Sequence, residues 1–476
     1  MIPDLTAARE QMALSLSFHI VFAVLGVGMP WLMLAAQWRG VRTGDPRWTA
    51  LAHRWAGAVA VLFAVGAVSG TVLSIEFGLL WPTFMERFGA AIGLSFTLES
   101  FAFFVEAIFL ALYLYGRDRL SPRVHLLCAV PVALGGMASA LFVTTANAWM
   151  NGPVGLVTGP DGDLVATEPL GPFMAPTAAP QMVHMALAAL MCTGFAVAAV
   201  YAVAILRGRD DGYHRRGFAA GAVMGLATAP MQVLAGDWAA RAVAANQPAK
   251  FAAMEGVART VDGAPFRLGP LEIPNALSLL MHLDPDARIV GLDAIPPPDR
   301  PPAALTHLSF EIMVVIGTAL AALAVWAAWM WWRGRRPVGN VWFLRAMAVA
   351  GPLPFVALLA GWVVTEVGRQ PWIVYRVMRT PEALTTQTGL EVYLYVTAVV
   401  YLVLAVALVA ILRRLARRPT PPDPPEPPEP PEPPEPPEPP EPPEPSEPRR
   451  ERRYAGDTPA EIGTTSFSTA TGEGRS

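Results

Sequence analysis

Long apolar stretches alternate with short polar loops from residue 12 to residue 412. An apolar run of about 18 or more residues is long enough to cross the roughly 30 Å hydrocarbon core of a bilayer as a helix. The pattern predicts nine such helices, numbered as segments 1 to 9: 12–36, 55–75, 93–115, 124–146, 181–206, 217–238, 307–332, 342–366 and 391–412. We therefore expect an all-α protein that crosses a membrane nine times.

The composition favours this membrane protein over the soluble chain of about three domains that the length alone would suggest. Of the 476 residues, 53% are hydrophobic and 15% are charged. The N-terminal stretch MIPDLTAARE lacks the basic start and cleavage site of a signal peptide, so segment 1 is expected in the mature protein. Both cysteines, Cys128 and Cys192, fall inside predicted helices and are expected to be small core residues.

Arginines are concentrated in alternate loops. The loops after segments 1, 3, 5, 7 and 9 are rich in arginine, whereas residues 148–180 contain none. Because short basic loops stay on the cytoplasmic side, the N-terminus is predicted outside and the C-terminus inside.

The polar regions divide the chain into four parts. Residues 1–240 hold the first six helices, 241–306 form an extracytoplasmic loop, and 307–415 hold the last three helices. Residues 416–476 form a Pro/Glu-rich tail, whose PPE repeats predict a polyproline II rod followed by disorder in the cytoplasm. The loop is long enough to be a binding element, and the tail is a spacer or docking arm.

Seven ionisable side chains stand out as candidates for positions within the bilayer, in the predicted helices or at their ends. Each costs about 3 kcal/mol or more there, which makes it a candidate functional group. With the predicted orientation, all seven fall in the outer half of the membrane, where scattered structural residues would not collect: His19, Glu76, Glu99, Glu106, His184, Glu311 and Glu366.

Glu99 and Glu106 are seven residues apart, so they project from one face of segment 3 about 10 Å apart. Such a ladder suits proton relay. A pair of buried carboxyls hydrogen-bonded to neighbouring helices fits the spacing equally well.

His19 and His184 lie one or two turns inside the membrane, and Met313 lies at a similar depth. Imidazole and thioether sulfur are the ligands of haem iron in many electron-transfer proteins. A lone histidine or methionine in an apolar helix is more often a packing residue. From these residues alone, a haem site and ordinary packing both stay open.

Several blocks of the sequence resemble subunit I of the cytochrome bd-type quinol oxidases, from residue 1 to about 415. They occur in family order, and GRQPW after a membrane glutamate is highly specific. The blocks are LSLSFHI around His19, TLESFAFFVEAIF at 97–109, TTANAWMNGP at 144–153, MVHMALAAL at 182–190, NQPAKFAAMEG at 246–256, FEIMV at 310–314 and GWVVTEVGRQPW at 361–372. The expected fold is two four-helix bundles plus one peripheral helix.

The resemblance implies a set of haem ligands. His184 and Met313 match the axial ligands of a low-spin haem b. His19 and Glu366 match the axial ligands of two high-spin haems, one a haem b and the other a haem d or a further haem b. Which haem each of these two residues ligates differs among family members.

The resemblance also implies residues for protons and quinol. Glu99 and Glu106 match carboxylates that deliver protons to the high-spin pair or balance its charge. Lys250 and Glu255 match residues of the quinol site in the outside loop. Trp362 and Arg369 flank Glu366 as in the family.

The implied activity is oxidation of a quinol, either ubiquinol or menaquinol, at the outer face with reduction of dioxygen to water. Charge would be separated across a bacterial cell membrane without a proton pump. The implied partners are oxidase subunit II, a small single-helix subunit as an optional component, and membrane lipid; nucleic acid is not expected.

Three features set the chain apart within the family. The loop between Glu255 and segment 7 is short, and the spacing of Glu99 and Glu106 follows the cyanide-insensitive relatives. Glu311 stands near Met313, where some members have arginine, and would alter the local electrostatics of the haem.

The resemblance to a haem protein would explain why Glu366 and Arg369 lie at the end of segment 8. Arg369 is expected to pair with Glu366 or with haem propionates through its planar guanidinium. Gly368 is expected to let the chain leave the helix, and Pro371 to prevent the helix from resuming.

Two other classes of protein stay open. One is a transporter or channel in which buried carboxylates bind a proton or cation, although paired broken helices typical of that class are not evident. The other is a non-catalytic membrane haem protein for electron transfer, which would need His184 and Met313 but not His19 and Glu366.

Overall fold

The structure is a computed structural model that describes residues 3–158 and 164–417. Within these ranges, nine helical spans are long and apolar enough to cross a membrane, which confirms the predicted nine. The α-helices are α1 (Asp4–Thr43), α2 (Pro46–Leu80), α3 (Pro82–Tyr115), α4 (Pro122–Asn151), α5 (Gly171–Met174), α6 (Ala178–Leu206), α7 (Gly212–Asn246), α8 (Pro248–Met254), α9 (Ala276–His282), α10 (Ala303–Trp332), α11 (Val341–Ala350), α12 (Leu353–Val367) and α13 (Leu390–Ala416).

Short strands and 3-10 turns lie between the helices. Each strand belongs to a two-stranded antiparallel ladder, in the pairs β1–β2, β3–β6, β4–β5 and β7–β8. The strands are β1 (Leu156–Thr158), β2 (Leu164–Thr167), β3 (Val261–Asp262), β4 (Phe266–Leu268), β5 (Leu271–Ile273), β6 (Arg288–Ile289), β7 (Trp372–Val374) and β8 (Met378–Arg379). The 3-10 turns are Leu292–Ala294, Pro297–Asp299, Pro337–Gly339 and Thr380–Ala383.

Several helices extend beyond the apolar runs that predicted them. α3 begins at Pro82, whereas segment 3 was predicted from residue 93, and α7 runs to Asn246, past the predicted boundary at residue 240. Pro82 occupies the first helical turn, where its missing N–H costs nothing. Hydropathy marks the part of a helix that crosses lipid, while backbone hydrogen bonding continues into the polar region.

Segment 8 was predicted as one helix, and the structure divides it into α11 and α12. Gly351 and Pro352 form the break. Proline lacks the N–H that would continue the hydrogen-bond ladder of α11. Instead the Pro352 carbonyl accepts from the backbone N–H of Phe355 at 3.2 Å, which starts α12.

The helices pack as the expected two bundles plus one peripheral helix. The first bundle contains α1 to α4, and the second contains α6, α7, α10 and the α11–α12 pair. α13 lies against α1 and α2. The closest crossing joins α6 and α7, where a Cβ on Gly194 would lie 2.2 Å from the backbone nitrogen of Gly225. Small residues of this kind let membrane helices approach closely.

The segment between α7 and α10 marks one end of the bundles, called the loop end below; the opposite end is called the arginine end. Helices α2, α4, α7 and α12 finish at the loop end, and α1, α3, α6, α10 and α13 begin there. Asp4 ties two of these starts together, since its Oδ1 accepts from the backbone N–H of Leu390 at 3.1 Å. The predicted tail from residue 416 lies outside the described residues, apart from Ala416 and Arg417.

Candidate functional site

His19 on α1 presents one free ring nitrogen. Its Nδ1 lies 2.9 Å from the Ser69 hydroxyl, and that hydroxyl donates its only proton to the Val65 carbonyl at 2.8 Å. Ser69 therefore accepts from Nδ1–H, and the lone pair of Nε2 is left available. Gly70 stands beside the ring, where a Cβ would lie 3.3 Å from Cε1. A ring oriented through one nitrogen and free at the other is suited to bind a metal.

His184 on α6 has an incomplete set of partners. Its Nε2 lies 3.1 Å from the amide nitrogen of Gln232 on α7, and its Nδ1 is buried with no hydrogen-bond partner. Gly236, one turn further along α7, leaves the ring edge open, since a Cβ there would lie 3.5 Å from Cε1. An unsatisfied nitrogen on a buried imidazole is costly unless another group binds the ring.

Met313 on α10 faces a glycine of α12. A Cβ on Gly361 would lie 2.9 Å from the Met313 sulfur, so glycine lets the thioether approach α12 closely. α7 packs against both α6 and α10, the helices of His184 and Met313. A glycine thus lies beside each of the two candidate ligands.

Glu366 at the loop end of α12 accepts two strong hydrogen bonds. Asn147 on α4 donates to Oε1 at 2.5 Å, and Arg369 donates to Oε2 at 2.5 Å. The Glu366 side chain keeps 29% of its surface exposed, while the Arg369 side chain keeps 3%. A carboxylate has about four lone-pair sites, so Glu366 can bind a further partner on its open side.

Arg369 is buried with part of its guanidinium unused. Its Nε and Nη1 atoms have no acceptor among the described residues. Each of these N–H groups can donate to a further carboxylate oxygen. The propionates of a haem next to Glu366 would supply such a carboxylate, so the residues present fit the group that the resemblance implies.

Gly368 has a different role from the one expected. Its φ of −66° is ordinary helical backbone, so no left-handed conformation is needed to end α12. A Cβ there would instead lie 2.4 Å from the Val364 carbonyl oxygen of α12 and 2.9 Å from Cγ of Lys250. Glycine is required because the last turn of α12 and the loop both approach this position closely.

Lys250 and Glu255, at opposite ends of α8, are both buried. The Lys250 ammonium donates to Asn151 Oδ1 and, at 3.0 Å, to the Thr365 carbonyl of α12. Burial and then the positive charge of Arg369 hold the pKa of Lys250 well below its usual range, although Glu366 opposes this shift. Burial raises the pKa of the Glu255 carboxyl to about 8.

These contacts form one continuous network from the loop to α12. Lys250 bonds to Asn151, Asn151 Nδ2 donates to Asn147 Oδ1 at 3.0 Å, and Asn147 donates to Glu366, which holds Arg369. The sequence analysis assigned no role to the two asparagines. Their signal was two amides four residues apart at the end of segment 4. Ser69 and Gln232 were also overlooked, as polar residues inside apolar segments.

Glu106 lies deep in the bundle. It is 5% exposed and packs against Gly136 at the middle of α4, where a Cβ would lie 3.2 Å from its Oε2. The placement of all seven ionisable residues in the outer half of the membrane stays a prediction. Glu99 lies two turns nearer the loop end on the same face, and neither carboxylate has a hydrogen-bond partner among the described residues.

Two further residues can be placed. Trp362 packs in one hydrophobic cluster with Ile20 and Met185, the sequence neighbours of His19 and His184. Glu311 accepts from the backbone N–H of Gly269 at 3.1 Å. Glu311 therefore anchors the turn between β4 and β5 rather than standing free beside Met313.

The candidate ligands come as single side chains on separate helices. Within the ranges that the structure describes, no group of three or more His, Cys, Asp or Glu residues could hold a bare metal ion. The arrangement instead suits groups that bring their own equatorial ligands and need one or two axial ones, as haem does. Fold and site together define a multi-pass membrane protein with candidate axial ligands near the loop end.

Comparisons with known proteins agree with this class. Residues 7–420 match the cytochrome bd terminal oxidase subunit I family. A Bacillus subtilis (strain 168) protein, provisionally named a cytochrome bd menaquinol oxidase subunit I, is 33% identical over 84% of this chain and 94% of its own. A cytochrome bd ubiquinol oxidase subunit 1 of the same organism is 28% identical over 80% of this chain and 86% of its own. The structure of bd oxidase from Geobacillus thermodenitrificans matches with a TM-score of 0.82 at 36% identity, over 87% of this chain and 98% of that chain.

The chain belongs to the cytochrome bd terminal oxidase subunit I family. The family binds haems, and the curated relatives are named as quinol oxidase subunits. The predicted fold and enzyme class are therefore confirmed. The roles of individual residues, the types of haem and the orientation in the membrane stay predictions.

Proposed function

We propose that this chain is the haem-containing catalytic subunit of a quinol:oxygen oxidoreductase, which oxidises a quinol at the loop end and reduces dioxygen to water. The observation that carries the proposal is the hydrogen-bond network from Lys250 through Asn151 and Asn147 to Glu366. It connects the buried Lys250 of the loop with a candidate axial ligand. Neither a simple packing role nor an isolated charge pair requires this continuity.

His184 and Met313 would hold a low-spin haem b between α6–α7 and α10–α12. His19 and Glu366 would hold the high-spin pair, a haem b together with haem d or a further haem b. When bound, the haems carry electrons from quinol to dioxygen. The protein sets the ring orientation of His19 through Ser69, keeps both oxygens of Glu366 hydrogen-bonded, and offers Arg369 to propionates.

Lys250 and Glu255 would bind the quinol, either ubiquinol or menaquinol, and receive its protons. Lys250 can donate a hydrogen bond to a quinol oxygen, and the Glu255 carboxylate, whose pKa is about 8, can take a proton from the quinol. Their burial against α12 keeps water out of this step. The protons would leave at the loop end, which we place outside.

Glu106 and Glu99 would carry protons for water formation from the arginine end towards the haem pair. Their common face on α3 and their lack of other partners support this role. Quinol protons released outside and protons taken from inside would separate charge without a pump. The C-terminus would lie in the cytoplasm, and the chain would work in a bacterial cell membrane with oxidase subunit II and, optionally, a small single-helix subunit.

The test compares Glu366→Gln with wild type in the purified complex. We expect Glu366→Gln to lose quinol-driven oxygen consumption while the low-spin haem spectrum is retained. The control is Glu86→Gln, which changes an exposed carboxylate near the start of α3. Full oxygen consumption in Glu366→Gln would contradict the proposal, and a wild-type complex with only the low-spin haem would point to a non-catalytic electron-transfer subunit. Folded wild type without haem would favour a transporter.

A further inference from the structure

Glu76 is a buried carboxyl that the proposed mechanism does not use. It lies near the loop end of α2 and is 2% exposed. Its Oε1 accepts from the Ser15 hydroxyl at 2.7 Å and from the Gln11 amide at 3.1 Å, both on α1. α13 covers this site, since α13 packs against α1 and α2.

Three polar atoms around this carboxyl have no hydrogen-bond partner. They are Oε2 of Glu76, Oε1 of Gln11 and the hydroxyl of Tyr401, and all three are buried. The Tyr401 hydroxyl lies near Ser15 and Glu76, and its ring is stacked on Phe18 with centroids 4.3 Å apart. Two acceptors and one hydroxyl are enough polar partners for one buried water. A protonated Oε2 would add a second donor to the group.

The site is aligned with His19. Gln11, Ser15 and His19 follow one another at intervals of four residues, so they share one face of α1. On α2, Ser69, which orients His19, and Glu76 are seven residues apart and also share a face. The carboxyl therefore lies about two turns, roughly 10 Å, beyond the Ser69–His19 pair towards the loop end.

At this separation a charge on Glu76 is felt at His19. With an effective dielectric constant of about 20, unit charges roughly 12 Å apart change an equilibrium constant by about tenfold. Gln11 and Ser15 face the carboxyl from α1, and Tyr401 and Thr397 face the cluster from α13. None of these four described side chains is charged at neutral pH.

We propose that Glu76, with a bound water shared by Gln11 and Tyr401, takes up a proton when an electron enters the haem held by His19. The electron comes from the quinol, which is oxidised, and the proton comes from water at the loop end and binds Oε2 of Glu76. Reoxidation by dioxygen returns the proton to water. The site keeps the buried region near charge balance. This inference rests on the proposed function, because it requires a haem on His19.

The experiment is reduced-minus-oxidised infrared difference spectroscopy of the purified complex, with Glu76→Gln compared with wild type. We expect a carboxylic C=O band in wild type that Glu76→Gln lacks and that the exposed control Glu10→Gln retains. In redox titrations, the reduction equilibrium of the high-spin pair should change by up to tenfold per pH unit in wild type and less in Glu76→Gln. Identical bands and identical pH dependence in the two proteins would overturn the proposal.

Tyr401→Phe is the second variant, because it keeps the carboxyl and removes only the hydroxyl that faces it. We expect its C=O band to shift in frequency rather than vanish, and an unshifted band would count against the shared water. Haem content and quinol-driven oxygen consumption are measured on the same samples. Wild type that lacks haem or quinol-driven oxygen consumption would refute the proposed function. Wild type with normal values, together with a C=O band that is unchanged in Glu76→Gln, would refute only the role of Glu76.

Discussion

Asn147, near the loop end of α4, donates a hydrogen bond of 2.5 Å to the carboxylate of Glu366 on α12. This contact joins the first helix bundle to the second beside the candidate haem ligand. On its other side, Asn147 accepts from Asn151, which in turn binds Lys250 of the loop. The two bundles and the loop that contains Lys250 therefore meet in one polar network.

Replacing Asn147 with leucine should weaken the binding of the haem held by Glu366. A hydrogen bond to a charged group contributes about 1.5–3 kcal/mol, which corresponds to roughly 10-fold to 150-fold in retention. The reduced-minus-oxidised spectrum and extracted haem should show loss of one high-spin haem, with the low-spin haem intact. Asn246→Leu is the control, because that amide bonds only to the Ala242 carbonyl of its own helix. Full haem content in Asn147→Leu would count against Glu366 as a ligand.

His184→Ala and Met313→Leu should each abolish the low-spin spectrum. Both changes remove an axial ligand, so the iron becomes high-spin or the haem is lost. Absorbance spectra of the reduced complex test this directly, with His282→Ala and Met281→Leu as controls in the loop. A low-spin spectrum that survives both ligand changes would show that the haem is held by other residues.

Glu255 should set the pH dependence of quinol oxidation. Its pKa is about 8 because the carboxyl is buried, so it is protonated and unable to accept a quinol proton at lower pH. We expect kcat/KM for quinol to rise about tenfold per pH unit up to pH ~8 and then level off. In Glu255→Gln, kcat/KM should not show this rise with pH.

The raised pKa of Glu255 also makes the folded protein less stable as the pH rises. Because the pKa in the folded protein exceeds the usual value of 4.5, the stabilising contribution of the neutral acid is complete below about pH 4.5. This contribution is lost as the pH rises through about 8. Thermal unfolding of wild type should therefore lose more stability between pH 5 and pH 8 than that of Glu255→Gln. Equal losses would contradict the assigned burial.

Arg369→Gln should lower the midpoint potential of the high-spin haems. Removing a buried positive charge favours the oxidised iron, and a unit charge at about 12 Å with an effective dielectric constant of 20 corresponds to roughly 60 mV. Spectroscopic redox titration measures this shift. Arg379→Gln is the matched control, since Arg379 pairs with Asp299 at 2.5 Å at the same end of the protein. Equal potentials in the two variants would exclude a specific role for Arg369.

The nine spans could be predicted from the sequence because lipid imposes one rule on every helix: the crossing part must be apolar and about twenty residues long. Their ends could not, because α3 continues through Glu86 and Arg87, where hydropathy carries no information about the backbone. The break between α11 and α12 had a local signal in Gly351 and Pro352. The apolar run continues across it, and hydropathy alone therefore merged the two helices.

The candidate site could be predicted only in part. Ionisable residues in apolar helices stand out individually, as His19 and Glu366 do. Their partners do not, because Ser69 and Asn147 are neutral residues whose importance depends on which helices touch. The same limit applies to Gly236 and Gly361, which are ordinary membrane-helix glycines until the structure places them against His184 and Met313.

The central claim is that the chain holds haems through His19, His184, Met313 and Glu366, and one measurement tests it most directly. A dithionite-reduced minus oxidised spectrum of the purified protein, with extracted haem identified and counted, should reveal low-spin haem b together with a high-spin pair. A chlorin band would assign haem d to one of the pair, and haem b alone would assign a further haem b. Folded protein without stoichiometric haem would contradict the ligand assignments and the function that depends on them.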